Sequence, residues 1–188
     1  MAATGLSGII EQFIRRIRFR WQIIFLVSVI VYGISFYHHL QFHTEMKIPT
    51  RMYRIFDQVF FVVALGLAMG ILFYKRKYFT LKYFRKRLEV LHRQHSRSDA
   101  KELLRILLRE LDKRFNVVWW MGFALILMGI IQYWLTFVSR NMNIYFIVGL
   151  YSILLNYPRQ DMLIEIPYLA REAVGEGGEN STLEETRS

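Results

Sequence analysis

Residues 116–139, "NVVWWMGFALILMGIIQYWLTFVS", run for 24 positions without an Asp, Glu, Lys, Arg or His. A helix needs about 20 largely apolar residues to cross the hydrocarbon core of a bilayer, so this run passes the length unaided. Residues 21–37, "WQIIFLVSVIVYGISFY", and 58–74, "QVFFVVALGLAMGILFY", carry 17 such positions each and reach spanning length by drawing in flanking residues. Buried helices of soluble domains rarely need so many uncharged positions in succession, and here it happens three times. A fourth run, 141–158, is also uncharged, but its apolar heart is the twelve residues 144–155. It reads as a crossing or as a short, re-entrant element. The expectation is an all-α, polytopic membrane protein with about four transmembrane helices, near 21–40, 56–75, 116–139 and 141–157.

Charge then sets the orientation. The chain carries a formal net charge of +10, which by itself would suggest a polyanion partner. The positives, however, are segregated by loop. Residues 1–20 hold four, 38–54 three, and 75–115 fourteen against five acids; one follows the third run and three lie in the tail. With four crossings and a cytosolic N-terminus, 21 positives face the cytosol and four face away, the asymmetry that the positive-inside rule favours. Residues 1–20 are then a basic cytosolic arm and 21–156 a helical membrane domain. Residues 157–188 become an acidic, largely disordered cytosolic tail, and the expected location is the plasma membrane. The basic arm precedes a run with no small-residue cleavage site, so the first helix reads as retained rather than removed.

The densest basic stretch, "YKRKYFTLKYFRKR" at 74–87, lies where the second crossing meets the cytosol. Lys75, Arg76, Lys77, Lys82, Arg85, Lys86 and Arg87 read as topology determinants that hold anionic inner-leaflet lipid headgroups, with the interleaved aromatics at the interface. No groove-reading helix or aromatic sheet surface accompanies them, so nucleic acid is not an expected partner. Positions 74, 78, 81, 85 and 88 follow helical spacing, which predicts that the second helix continues past the bilayer. A further helix follows Ser98, opened by a capping-box-like pair, Asp99 and Glu102. Leu104, Leu107, Leu108, Leu111 and Phe115 make one apolar stripe along it. Its partner is the Leu88/Leu91 face, a neighbouring subunit or the membrane surface. With the first of these, 75–115 forms a cytosolic helical hairpin between spans two and three.

Little catalytic chemistry is visible. There are no cysteines, no Gly-rich phosphate loop and no recognisable nucleophile or metalloprotease motif. No enzyme activity and no cofactor are expected. His38, His39 and His43 cluster beyond the first run with Glu45 nearby, but no second group completes a metal site. Asp57 reads as a carboxylate at a helix N-terminus or at the mouth of a water-filled path. Aromatics near the span ends, among them Trp21, Trp119, Trp120, Tyr133 and Trp134, read as an interfacial belt. Gly66 and Gly70, in "GLAMG", form a Gly-x-x-x-Gly that lets helices approach closely and points to homo- or hetero-oligomer packing.

In their order, "RFRWQIIFLVSVIVYGISFY", "RMYRIFDQVFFVV", "KYFRKRLEVLHRQ", "LLRELDKRF" and "NVVWWMGF" resemble the N-terminal half of an insect gustatory receptor over roughly residues 12–156. The resemblance implies a chemosensory, taste-type membrane receptor with a cytosolic N-terminus, a subunit or truncated member of a family of ligand-gated cation channels. The family's diagnostic motif belongs to a last, pore-lining helix that has no counterpart here, so no functional residue is carried over. The other reading is a small four-helix membrane scaffold or assembly factor acting through helix packing and the basic loop.

Asn180-Ser181-Thr182 is a glycosylation sequon placed by this topology in the cytosol. Endoglycosidase treatment of the protein made in eukaryotic cells is therefore expected to leave its gel mobility unchanged. A shift would mean that the tail faces the lumen.

Overall fold

The computed structural model describes residues 2–42, 49–94, 100–158, 163, 165, 166 and 168–170. Its regular elements are α1 (Ala2–Gln41), α2 (Thr50–Tyr78), α3 (Leu81–Gln94), α4 (Ala100–Thr136) and α5 (Ser139–Leu155). No strand occurs among the described residues. Three helices are long and apolar enough to cross a membrane, over Gly8–Gln41, Arg51–Tyr78 and Ala100–Thr136. Only 11% of the apolar window is buried in the first two, against 50% in the third. Side chains such as Ile23, Leu26, Ile30, Ile34, Phe61, Val62, Leu65 and Phe73 are exposed. Water would not tolerate so large an apolar surface, but lipid does. The chain is an integral membrane protein by this measure.

The helix breaks have local causes. The helical spacing across 74–88 predicts one continuous helix, yet α2 ends at Tyr78 and α3 begins at Leu81. Thr80 intervenes: its Oγ1 accepts the Tyr83 N–H at 3.3 Å, the bond of an N-cap. Between α4 and α5, Phe137 adopts φ 58°, a left-handed conformation uncommon outside glycine. Its N–H donates to the Tyr133 carbonyl at 2.6 Å, and Val138 N–H donates to Thr136 Oγ1 at 3.2 Å. The expected start of the α4 helix at Asp99 lies outside the described residues.

The chain divides into two compact units. The first comprises Met1–Arg18, Arg76–Arg114 and Pro158–Ser188. Its core joins Phe84, Leu88 and Leu91 of α3 to Leu103, Leu104, Leu107, Leu108 and Leu111 of α4. The leucine stripe packs against the Leu88/Leu91 face, one of the three partners expected for it. Two further segments enter the same core, Ile10 and Ile14 from α1 and Leu163, Ile166 and Ala170 from beyond α5. The latter three belong to the tail expected to be largely disordered, whose residues 171–188 lie outside the described ones.

The second unit comprises Phe19–Lys75 and Phe115–Tyr157. Here α4 and α5 run antiparallel and approach through glycines. A Cβ at Gly149 would stand 2.7 Å from the Gly122 carbonyl oxygen and 2.6 Å from Ile126 Cγ1. One at Gly129 would stand 3.1 Å from Met142 Cα. Small residues that admit a neighbouring backbone are the usual device of helix pairs in lipid, where burying apolar side chains gains little. Within the chain, Gly70 meets only the Met121 methyl, and Gly66 has nothing within 4 Å.

Gly149→Ala is expected to lower stability by about 1–3 kcal/mol, because backbone atoms and not a flexible side-chain tip must yield. Gly33→Ala, on α1 with nothing within 4 Å, should be neutral or stabilising by up to about 1 kcal/mol. Thermal unfolding in one detergent compares the two.

Candidate functional site

Polar side chains in the second unit gather at one end, where α1 and α4 finish and α2 and α5 begin. Asp57 stands beyond the first turns of α2, which starts at Thr50. The helix dipole fades within about a turn, so the N-terminal reading of this carboxylate does not hold. Instead Asp57 Oδ1 accepts from Gln132 Nε2 of α4 at 3.2 Å and from Asn141 Nδ2 of α5. Three helices thus meet on one carboxylate oxygen. Gln132 is wholly buried, and its Oε1 has no hydrogen-bond partner.

A second network adjoins it along α1. His38 Nδ1 lies 2.9 Å from the buried Tyr133 hydroxyl, and His39 faces the same ring edge-on at 5.8 Å. Trp134 Nε1 donates to Ser35 Oγ at 3.1 Å, and Tyr32 Oη donates to Asn143 Oδ1 at 2.9 Å. The Tyr32 ring also stacks on Phe146, with centroids 3.6 Å apart. Phe137, the residue in the left-handed conformation, packs its ring against His38, Tyr133 and Trp134. That conformation costs on the order of 1–3 kcal/mol, and the surrounding rings help to hold it. No group of three or more His, Cys, Asp or Glu suited to a metal occurs among the described residues. His43 and Glu45 lie outside them.

At the other end of this unit, the last carbonyls of α5 have no partner within their own helix. Three other helices supply donors. Trp21 Nε1 of α1 donates to Ile153 O at 2.9 Å, Lys75 Nζ of α2 to Leu155 O at 3.2 Å, and Trp119 Nε1 of α4 to Asn156 O at 3.0 Å. The ammonium also suits the negative end of the helix dipole. The interfacial-belt reading therefore needs correction at two positions. Trp119 and Tyr133 are both 0% exposed, because each spends its polar atom inside the bundle. Trp120 and Trp134 are exposed.

The seven basic residues of 75–87 divide in the same way. Arg76, Lys77, Lys82, Arg85 and Lys86 are exposed. Lys75 and Arg87 are half-buried and tied to the protein, Lys75 to α5 and Arg87 to Glu110 of α4. Arg87 grips Glu110 with two N–H donors, Nε at 2.9 Å from Oε2 and Nη2 on Oε1, the forked geometry that makes such pairs stronger than single contacts. Close by, the Arg114 guanidinium lies 4.0 Å from the Tyr78 ring centroid and 4.9 Å from that of Tyr83, and it donates to the Tyr83 hydroxyl. These cation–π contacts join the end of α2 to α3 across the Thr80 break. Gln132, Asn141 and Asn143 were not singled out by motif. Gln132 is the one carboxamide within residues 117–138, and a polar side chain so isolated in an apolar run is the signal that points to it.

The hydrogen bonds from Arg87 hold the Glu110 carboxyl below the usual carboxylate range, with burial opposing them. The contribution is complete above the unfolded-state pKa of about 4.3 and is lost as pH falls through the depressed folded value. Glu110→Gln is expected to cost at most about 1 kcal/mol at pH 7, and the gap from wild type should narrow as pH falls below the unfolded-state value and close below the depressed folded one. Unfolding measured at a series of pH values checks both statements.

No protein family, curated protein or solved structure matches the chain.

Proposed function

We propose that the chain crosses the membrane four times, with its N-terminus, the 75–115 segment and its C-terminal tail in the cytosol, and that it serves as a chemosensory-type ligand-recognising subunit. One observation carries the topology: the core of the first unit is shared by α1 residues Ile10 and Ile14, by α3 and the start of α4, and by Leu163, Ile166 and Ala170. Segments that share one core occupy one side of a membrane. The chain must then make an even number of crossings between Ile14 and Phe84, and again between Leu111 and Leu163. Helices α1 and α2 supply the first pair, and α4 and α5 the second. The 17 residues of α5 give about 26 Å at 1.5 Å per residue, short of a 30 Å hydrocarbon core. Its ends nevertheless meet Asp57 on one side and Lys75 on the other, so it runs the length of the bundle beside α4. The excess of Lys and Arg in the shared segments makes their side the cytosolic one.

This orientation turns the Asp57–Gln132–Asn141 and His38–Tyr133 networks outward. A few convergent polar groups among aromatic rings are what a small polar ligand would meet there. The membrane in question is the plasma membrane on this reading. A scaffold role is the second reading, favoured by the open space beside Gly66 and the exposed apolar faces of α1 and α2. It would join the chain to further copies or to other membrane helices.

The chain lacks cysteine, so single introduced thiols report without background. An impermeant maleimide applied to intact cells is expected to label Phe42→Cys and Arg140→Cys, all at exposed positions. Lys86→Cys and Tyr168→Cys should react only after permeabilisation. Labelling of Tyr168→Cys from outside would remove the fourth crossing.

A further inference from the structure

We propose that Asp57, Gln132 and Asn141 form a binding site for a monovalent cation, either an alkali ion or the ammonium head of a small amine. The site is independent of which way the chain faces in the membrane. Both carboxamides direct N–H donors at the same atom, Asp57 Oδ1. No hydrogen bond among the described residues reaches Oδ2, and Asp57 makes no ion pair among them. The Gln132 side chain is 0% exposed, and its Oε1, on the carboxamide that holds Asp57, is a buried acceptor with no donor. Turning the carboxamide over would not satisfy it, because Oε1 would then face the carboxylate oxygen. The site therefore brings together a half-buried carboxylate and an unsatisfied amide oxygen, with no ion pair to that carboxylate among the described residues.

A buried acceptor without a donor is costly, and the half-buried Asp57 carboxylate beside it has no ion-pair partner among the described residues. One species that answers both is a cation coordinated by, or donating to, the carboxylate and the amide oxygen. Its charge follows from the ligands. A single carboxylate balances one positive charge, whereas divalent ions in protein sites usually gather several carboxylates or six or more oxygens. Other ionisable groups among the described residues bear on the site. Tyr53 of α2 and Tyr145 of α5 lie within electrostatic reach of Asp57, and Arg140 of α5 acts on Tyr53. Arg140 is exposed. The Phe137 turn fixes where α5 begins and so sets Asn141 opposite Asp57. A backbone held in an unfavourable conformation beside such a cluster accords with a built site.

The test uses the full chain in detergent, which removes any dependence on orientation. Thermal unfolding is followed in sodium, potassium, methylammonium and N-methyl-D-glucamine chlorides at matched ionic strength. The wild-type Tm is expected to rise by roughly 5–10 °C at a hundredfold excess of the preferred cation over its Kd, relative to the bulky glucamine. A rise with sodium or potassium alone identifies an alkali ion, and one with methylammonium identifies an ammonium head. Asp57→Asn keeps an acceptor oxygen but not the charge, so it is expected to abolish the cation dependence without lowering Tm in the glucamine salt. Equal wild-type Tm in all four salts overturns the proposal. So does an Asp57→Asn protein that keeps the wild-type response, or one equally destabilised in every salt, since Asp57 would then be only a structural acceptor. If Asp57→Asn does not fold, the wild-type series decides the matter.

Discussion

One apolar core made from three distant stretches of chain governs the rest of this molecule. Leu103, Leu104, Leu107, Leu108 and Leu111 present a stripe that α3 alone does not cover, and Ile10, Ile14, Leu163, Ile166 and Ala170 complete it. Each added segment buries apolar side chains worth on the order of 1.5–3 kcal/mol apiece. The same contact is also a topological constraint, because a bilayer cannot pass through a packed core. On the proposed topology, this long-range hydrophobic contact bears on the number of crossings, which hydropathy alone leaves open. Hydropathy by itself qualifies three helices and leaves α5 below the length threshold.

The second unit faces a different requirement. In lipid, apolar side chains have no reason to leave their surroundings, and each unpaired backbone group costs several kcal/mol. Association of α4 with α5 accordingly rests on close backbone approach at Gly122, Gly129 and Gly149 and on polar ties at the helix ends. Trp21, Lys75 and Trp119 together answer three carbonyls at the end of α5. Both ends of this short helix are thus hydrogen-bonded to its neighbours. The ties and the glycines act in the same sense.

Much of this was legible in the sequence, and the remainder was hidden for identifiable reasons. Uncharged length located α1, α2 and α4, and helical spacing located the leucine stripe with the Leu88/Leu91 face among its possible partners. Spacing could not show that Thr80 would take the Tyr83 N–H and stop the helix, since a hydroxyl in mid-pattern is silent until the backbone geometry is known. The Gly-x-x-x-Gly at 66–70 was visible because it is a motif. The glycines that do meet a backbone, Gly122, Gly129 and Gly149, belong to two helices and form no linear pattern. Asp57 was visible as a charge, but its role depended on Gln132 and Asn141, 75 and 84 residues away. Long-range pairing of uncharged polar groups leaves no periodic trace.

The basic stretch shows how far a charge count can be carried. Taken together, seven cations in fourteen residues look like one electrostatic surface. Lys75 and Arg87 are half-buried and tied to neighbouring helices: Lys75 caps α5, and Arg87 grips Glu110. Neutralising either would disturb packing as well as surface potential, and the two effects have different salt dependence. Surface attraction to anionic headgroups is screened over about 8–10 Å at ordinary ionic strength, whereas a forked, half-buried pair is screened much less. Any attraction of the exposed Arg76, Lys77, Lys82, Arg85 and Lys86 to an anionic surface should therefore fade with salt. Lys75 and Arg87 belong instead to the packing of their own units.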